Sequence, residues 1–453
     1  MTNGRDLSRR EVMQYAAAAA TTAALSPGGS DTSQAAAAAE DLPAVAGGKP
    51  VKTTPFGHTP RYGEPELKQL REAIEQQTLF YAQGKKVKAL EAAFAKRHGV
   101  KHAVACSSGT AAIHSAMIAL GVSPGDEVIV TPITDMGSII PILFQGAVPV
   151  FADLDPHTYN LSPQSVRERI TPKTRAILAV HLAGNACDLD SLKAIADEHK
   201  LLLIEDCAQA FGCDYDGKPV GTIGRAGCFS FNEYKHISCG DGGIIITDDD
   251  GLARRLRLAT DKCVGRAGTP KERQPTFLAN NYRMTELQGA VALAQLEKLS
   301  SVVERRRSWC SRLQDGLKDL GAGVWLPAVT AKCSPSWWFY MVRVDPPQLG
   351  GRDADAFVAA MKAEGIPMGA HYIGAPIYEF PLFAHHSAFD HGTPHAYASY
   401  DYKPGLCPVA EDILKTCVML TINEGFTDDD LDATVKAFRR VVPWMRGKEK
   451  GEV

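Results

Sequence analysis

Seven short apolar runs punctuate the middle of the chain, beginning at His102 (HAVACSS), Asp126 (DEVIVTP), Val148 (VPVFADLD), Thr174 (TRAILAVHLAG), Leu201 (LLLIEDCAQ), Ala226 (AGCFSF) and Gly242 (GGIIITDD). Several are continuous rather than alternating, the pattern of strands buried on both faces. Between most of them lie stretches of helical character, over 111–120, 137–145, 163–169 and 189–200. Strands alternating with helices predict an α/β fold around a mostly parallel, seven-stranded sheet with right-handed crossovers. From Arg283, RMTELQGAVALAQLEKLSSVVERRRSW reads as one long amphipathic helix. After it the texture changes. Residues 337–344 read as a strand, 354–365 as a helix and 428–442 as a closing helix. Between these lies a Pro-, His- and aromatic-rich connection over 371–408, long enough to suspect of function. The shifts predict a large domain over 49–305 and a smaller α+β domain over 306–453.

The first 48 residues stand apart. LSRREVMQYAAAAATTAALS carries Arg9 and Arg10 after Ser8, then an alanine-rich, weakly apolar stretch and small residues suited to cleavage near 37–39. That is the pattern of a twin-arginine export signal. The plainer reading is an alanine-rich tail that happens to hold two arginines. From Ser26 to about Gly48 the Ala/Gly/Ser/Pro composition predicts a disordered linker.

Composition narrows the classes. Hydrophobic residues at 45% and charged residues at 22% match an ordinary soluble protein. A net charge of −3 offers no basic face for nucleic acid. Beyond the N-terminal segment no apolar run is long enough to span a bilayer, so stable membrane insertion is not expected. Eleven cysteines are scattered without a CxxC pair, which argues against a disulfide framework or a structural zinc site. Cys106, Cys207 and Cys228 fall inside the apolar runs, where a free thiol serves as a small hydrophobe.

The candidate chemistry gathers at the ends of the apolar runs. Ser107, Ser108, Gly109 and Thr110 close the first run and open a helix, a turn that suits a phosphate, although such residues also simply cap helices. Asp206, beside Glu205, ends the fifth run, at the edge where ligands of open α/β sheets bind. It reads as an ordinary strand-end acid, a metal ligand, or the partner that keeps a pyridine nitrogen protonated. Lys235 follows 29 residues later, with Ser230 before it and Gly240, Gly242 and Gly243 after it. A desolvated lysine has a lowered pKa and can form an imine with an aldehyde. The cluster HHSAFDHGTPH, with His385, His386, Asp390, His391 and His395, lacks helical or Cys-paired spacing. It reads as a polar loop near the mouth of the site rather than a metal centre. Gly221, Gly224 and Gly227 follow no βα turn, so a dinucleotide site is not expected.

With these motifs in place, the chain resembles the DegT/StrS family of pyridoxal-phosphate (PLP) dependent sugar aminotransferases, fold type I. The likeness runs from about Pro65 to the C-terminus and is dense in SSGTAAIHSAM, IEDCAQAFG, GCFSFNEYKHISCGDGG and NNYRMTELQGAVALAQL. It implies that Lys235 carries the cofactor as an imine and that Asp206 partners the pyridine nitrogen. It further implies that Gln209 lies near the ring and that Ser108, Gly109, Thr110 and Ser230 hold the phosphate. Asn281 would reach that phosphate from a neighbouring subunit, making the expected unit a homodimer with shared active sites. The implied reaction moves an amino group from glutamine or glutamate to a keto group of a sugar or cyclitol. A binding or regulatory module, or a dehydrating relative, is the alternative. His181 matches a family histidine and reads equally well as a bonded core residue. Family members usually stack an aromatic on the cofactor ring just after the second run; here TPITDMGS puts Asp135 or Met136 there. Sugar-nucleotide substrates favour a cytoplasmic location, whereas the paired arginines favour export to the periplasm.

Overall fold

The computed structural model describes residues 42–266, 273–388, 390 and 396–447, so the paired arginines, His391 and His395 lie outside the described residues. From Pro43 onward these residues form one compact unit. Its centre is a seven-stranded sheet of β1 (His102–Cys106), β2 (Glu127–Val130), β3 (Val148–Phe151), β4 (Thr174–Val180), β5 (Leu202–Asp206), β6 (Ala226–Ser230) and β7 (Gly243–Thr247), in the order β1-β7-β6-β5-β4-β2-β3. The pairs β2–β3, β2–β4, β4–β5 and β5–β6 are parallel. Strand β7 runs antiparallel to both β1 and β6. All seven strands fall on the seven apolar runs. The reversal of β7 was not visible in them, because a strand buried on both faces reads the same in either direction.

The helices follow the pattern with shifted ends. Helix α1 is Glu64–Glu75, α2 Lys86–His98, α3 Gly109–Leu120 and α4 Met136–Phe144. The long helix, α5 (Glu286–Leu317), starts later than Arg283 because Thr285 and Gln288 form a capping box, and it runs on well past residue 309. It therefore crosses the expected 305/306 domain boundary unbroken. The chain packs as two hydrophobic cores, and the first takes in Ile377, Tyr378, Phe383 and Tyr402 from beyond that boundary. The second holds Trp309, Leu313 and Leu317 of α5 with Phe357 and Phe438.

A four-stranded antiparallel sheet accompanies that second core: β8 (Val324–Trp325), β9 (Phe339–Val344), β10 (Met368–Ala370) and β11 (Cys417–Thr421), in the order β8-β9-β11-β10. The expected linker boundary near Gly48 also moves. The Ala44 and Val51 amides donate to the Glu364 carboxylate at 2.8 and 2.9 Å, and Lys52 pairs with Asp430 at 2.7 Å, docking the chain from Pro43.

The 371–408 connection packs through its aromatic residues. Its described part buries Tyr378, Phe383 and Tyr402 against Phe151 of β3, with ring centroids 5.6–5.8 Å apart. His386 packs on Tyr397 and Tyr402 of the same cluster, while His385 and Asp390 are exposed. Among the described residues, none of these groups belongs to a set spaced for a metal ion.

Candidate active site

Strand register builds one edge of the site. Cys106 of β1 and Ser230 of β6 both pair with Gly243, the first residue of the reversed β7. The end of β1, the start of β7 and the end of β6 therefore stand side by side. Side chains at Gly243 or Gly109 would break this row. A Cβ on Gly243 would lie 2.1 Å from the Ser108 carbonyl oxygen, and one on Gly109 2.5 Å from the Ser230 Cβ. Ser108 caps α3, its hydroxyl accepting the Ala111 amide at 3.0 Å. That leaves the Gly109 and Thr110 amides at the open, positive end of the helix. Capping therefore does not exclude a phosphate site: the Ser108 hydroxyl is taken by the cap, and the Gly109 and Thr110 amides remain. A Cβ on Gly137 would meet the Thr110 hydroxyl at 2.7 Å, so α4 closes the cradle's other side.

Two strands along, β5 ends in two acids with opposite employment. Glu205 is fully buried and accepts from the amides of Gly221, Ile223 and Gly224 at 2.6–2.8 Å and from His181 Nε2 at 3.1 Å. Burial alone would raise its pKa, but these donors outweigh burial and hold the carboxyl below its ordinary value. The Gly221/Gly224/Gly227 pattern serves that cage: a Cβ on Gly227 would lie 2.4 Å from the Gly221 backbone. His181, whose Nδ1 accepts the Cys187 amide at 3.2 Å, is a satisfied core histidine. His181, Glu205 and Cys207 lie close enough together to be considered as metal ligands. The histidine and carboxylate are already occupied by protein donors.

Asp206 faces the other way. It accepts from Ser138 Oγ at 2.7 Å and from the Ala208 amide at 3.0 Å. Burial pushes its carboxyl up, partly offset by Ser138, Ala208 and the charge of Lys235. Lys235 is 8% exposed, and desolvation lowers its pKa to about 8, against the pull of Asp206 and Asp135. Gln209 is buried, its carbonyl accepting the Ala183 amide at 2.9 Å and its amide donating to the Tyr372 hydroxyl at 3.5 Å.

The structure thus brings Gly109 against Ser230, places Lys235 within electrostatic range of Asp206, and sets Gln209 three residues along the chain from that acid. Asn281 stands apart. It is exposed and bridges Asp261, and among the described residues no hydrogen bond joins it to the cluster. Its neighbour Tyr282 accepts the Ser107 amide at 2.8 Å, which pins the Asn281 turn beside the phosphate cradle's own strand. Asp135 is exposed and caps α4 through the Gly137 amide at 2.7 Å; Met136 is half-buried as the first residue of that helix. Sequence reasoning missed Ser138, Tyr372 and Trp338. Tyr372 carried a signal only in retrospect: His371 and Tyr372 are consecutive non-glycine residues at φ +64° and +43°, a strain that clusters at functional sites.

These residues fit pyridoxal phosphate. The donor set supplies helix amides and hydroxyls for a phosphate, a buried acid for a ring nitrogen, and a desolvated lysine for an aldehyde. A cationic ring nitrogen would also supply the charge that buried Asp206 lacks.

Comparison with known proteins agrees. A model of the DegT/DnrJ/EryC1/StrS aminotransferase family matches residues 60–439. GDP-perosamine synthase of Caulobacter vibrioides is 36% identical over 361 residues, 79% of this chain and 91% of that protein. A putative L-glutamine:3-amino-2,3-dideoxy-scyllo-inosose aminotransferase of Streptoalloteichus tenebrarius is 36% identical over 350 residues, 75% of this chain and 82% of the relative. The crystal structure of an aminotransferase from Psychrobacter cryohalolentis superposes with a TM-score of 0.76 at 29% identity, covering 84% of this chain and 98% of its own.

Proposed function

The chain belongs to the DegT/DnrJ/EryC1/StrS aminotransferase family, whose members are PLP-dependent enzymes, and we propose that Lys235 is the residue through which it moves an amino group from glutamine or glutamate to a keto sugar or cyclitol. The observation that carries this reading is the near-complete burial of Lys235 beside Asp206, at a sheet edge where the start of α3 meets Ser230 at the end of β6. The two relatives named for perosamine and inosose chemistry support the acceptor class, and the second supports glutamine as donor.

Bound pyridoxal phosphate supplies an aldehyde that condenses with amines and a ring that withdraws electrons from the adjoining carbon. The chain supplies the rest. The Gly109 and Thr110 amides and the Ser230 hydroxyl bind the phosphate. Asp206, oriented by Ser138 and the Ala208 amide, holds a proton on the ring nitrogen. Lys235, with a pKa near neutrality, takes and returns the proton at the substrate's α-carbon, a task suited to a base tuned close to the working pH.

The same reading includes a homodimer in which Asn281 completes the partner's phosphate site. Support comes from an exposed apolar face on α1, where Leu67 and Ile74 are 51% and 54% exposed. It also includes export. The paired arginines suit a route for proteins that fold around a cofactor first, and recovery of the mature chain only from the cytoplasm would refute it.

Purified protein should show a visible absorbance band that L-glutamine or L-glutamate shifts to the near ultraviolet, and Lys235→Ala should lack the band. A colourless protein that takes up no added pyridoxal phosphate would overturn the assignment.

A further inference from the structure

The Lys235 amine rests on an aromatic face. Its Nζ lies 3.8 Å from the centroid of the Trp338 ring. Trp338 stands just before β9 and is held from several directions. Its indole Nε1 donates to the carbonyl of Tyr234, the residue before Lys235, at 2.7 Å. Its own amide donates to the Ala183 carbonyl, and the Ser336 amide to that of Gly184, both at 2.9 Å. Gly184 permits that approach: a Cβ there would lie 2.7 Å from the Trp337 amide nitrogen. Arg306 donates to the Trp337 and Trp338 carbonyls at 3.4 Å. Trp337, the residue before Trp338, takes the left-handed region at φ +50°.

An indole face carries the negative part of the ring quadrupole and attracts a cation, most strongly where water is excluded. Here the lysine is buried and its other charged neighbours are known. Asp206 and Asp135 favour its ammonium form. Arg61 donates to its backbone carbonyl at 2.8 Å, and the adjoining His236 is fully buried, which favours its neutral form.

We propose that Trp338 is a positioning residue for the reaction: its indole face is the platform to which the Lys235 amine returns whenever it is free of the cofactor, stabilising the ammonium and keeping the nitrogen at one place in the site. The inference rests on Lys235 being the cofactor lysine. An amine displaced by the donor must be recaptured at the end of every turnover, and a fixed ring shortens that search to a single contact. Desolvation lowers the lysine to about 8 against the pull of Asp206 and Asp135, and the indole face 3.8 Å from Nζ favours the ammonium in the same direction as the acids.

Shape and charge can be separated by replacing the chain's tryptophans with fluorinated analogues, which strip electron density from the ring face while keeping its size. The readout is the pH midpoint of Lys235 acetylation by acetic anhydride in cofactor-free protein, followed by mass spectrometry. The midpoint should fall with increasing fluorination, by on the order of one pH unit at full substitution. In a Trp338→Phe background fluorination should move nothing, which assigns the effect to this indole rather than to the other tryptophans. A midpoint that ignores fluorination in the native background would overturn the platform. Borohydride trapping of added pyridoxal phosphate tests the underlying reading separately. Absence of the trapped mass on Lys235 would refute the cofactor lysine, and with it the platform's role in the reaction, whatever the midpoint does.

Discussion

Glu205 and Asp206 are adjacent in sequence, both buried, and face opposite sides of β5, so they offer a test of what burial does to a carboxylate. Glu205 accepts four hydrogen bonds and is held below its ordinary pKa; Asp206 accepts two and is pushed above it. A lowered carboxyl contributes stability above its unfolded pKa that is lost as pH falls. A raised one costs stability once ionised. Glu205→Gln places an NH2 group against backbone amides and should destabilise the protein by about 3 kcal/mol in urea denaturation. Asp206→Asn should leave the cofactor-free protein as stable or slightly more so, yet lower kcat by about 10²- to 10³-fold through loss of charge at the ring nitrogen. If both substitutions destabilise alike, the division of labour between the two acids is wrong. Both acids were visible in IEDCAQ, but which one was structural was not. That depends on the amides of Gly221, Ile223 and Gly224 closing on Glu205, an arrangement that the glycine spacing alone does not reveal. Trp338 was hidden because the lysine its ring meets, Lys235, lies in a different part of the sequence.

At the scale of elements, the site depends on how closely α3 approaches the ends of β6 and β7. The seven apolar runs specified these strands well, because long hydrophobic stretches bounded by Gly, Pro and Asp leave few alternatives. Short strands such as β11 (Cys417–Thr421) were overlooked, since a five-residue run between helices cannot be told from a buried helix end. Helix ends moved wherever a cap overrode periodicity, as Thr285 did for α5 and Asp135 for α4. The reversal of β7 is what brings Gly243 to the Ser108 carbonyl, and no pattern along one strand encodes its direction. The tightness of this junction is measurable. In Gly109→Ala the added methyl would meet Ser230 at 2.5 Å and push α3 away from β6. Alanine favours a helix, so circular dichroism should be unchanged while pyridoxal phosphate affinity falls tenfold or more, a loss of at least about 1.4 kcal/mol. Unchanged affinity measured by equilibrium dialysis would mean that the phosphate lies elsewhere.

At the scale of the whole molecule, the unpaired features lie together in the argument for a second copy. Leu67 and Ile74 on α1 are exposed and line one groove with Leu70 and Leu287, an apolar face a second copy would cover. Asn281 is exposed on a turn that Tyr282 ties to its own β1, and among the described residues no hydrogen bond joins it to the site of its own chain. A two-fold dimer would bury the first feature and give the second a target. Subunit mixing distinguishes sharing from mere association. Lys235→Ala and Asn281→Ala homodimers should each be nearly inactive. If Asn281 acts across the interface, each mixed dimer holds one site with a native Lys235 from one subunit and a native Asn281 from the other. Random exchange makes half of the dimers mixed, with one of two sites restored, so about a quarter of native activity should return. If Asn281 serves its own subunit, every site in the mixture keeps one defect and exchange restores nothing. A Leu67→Glu, Ile74→Glu variant that sediments as a monomer should lose cofactor affinity in the first case and retain it in the second.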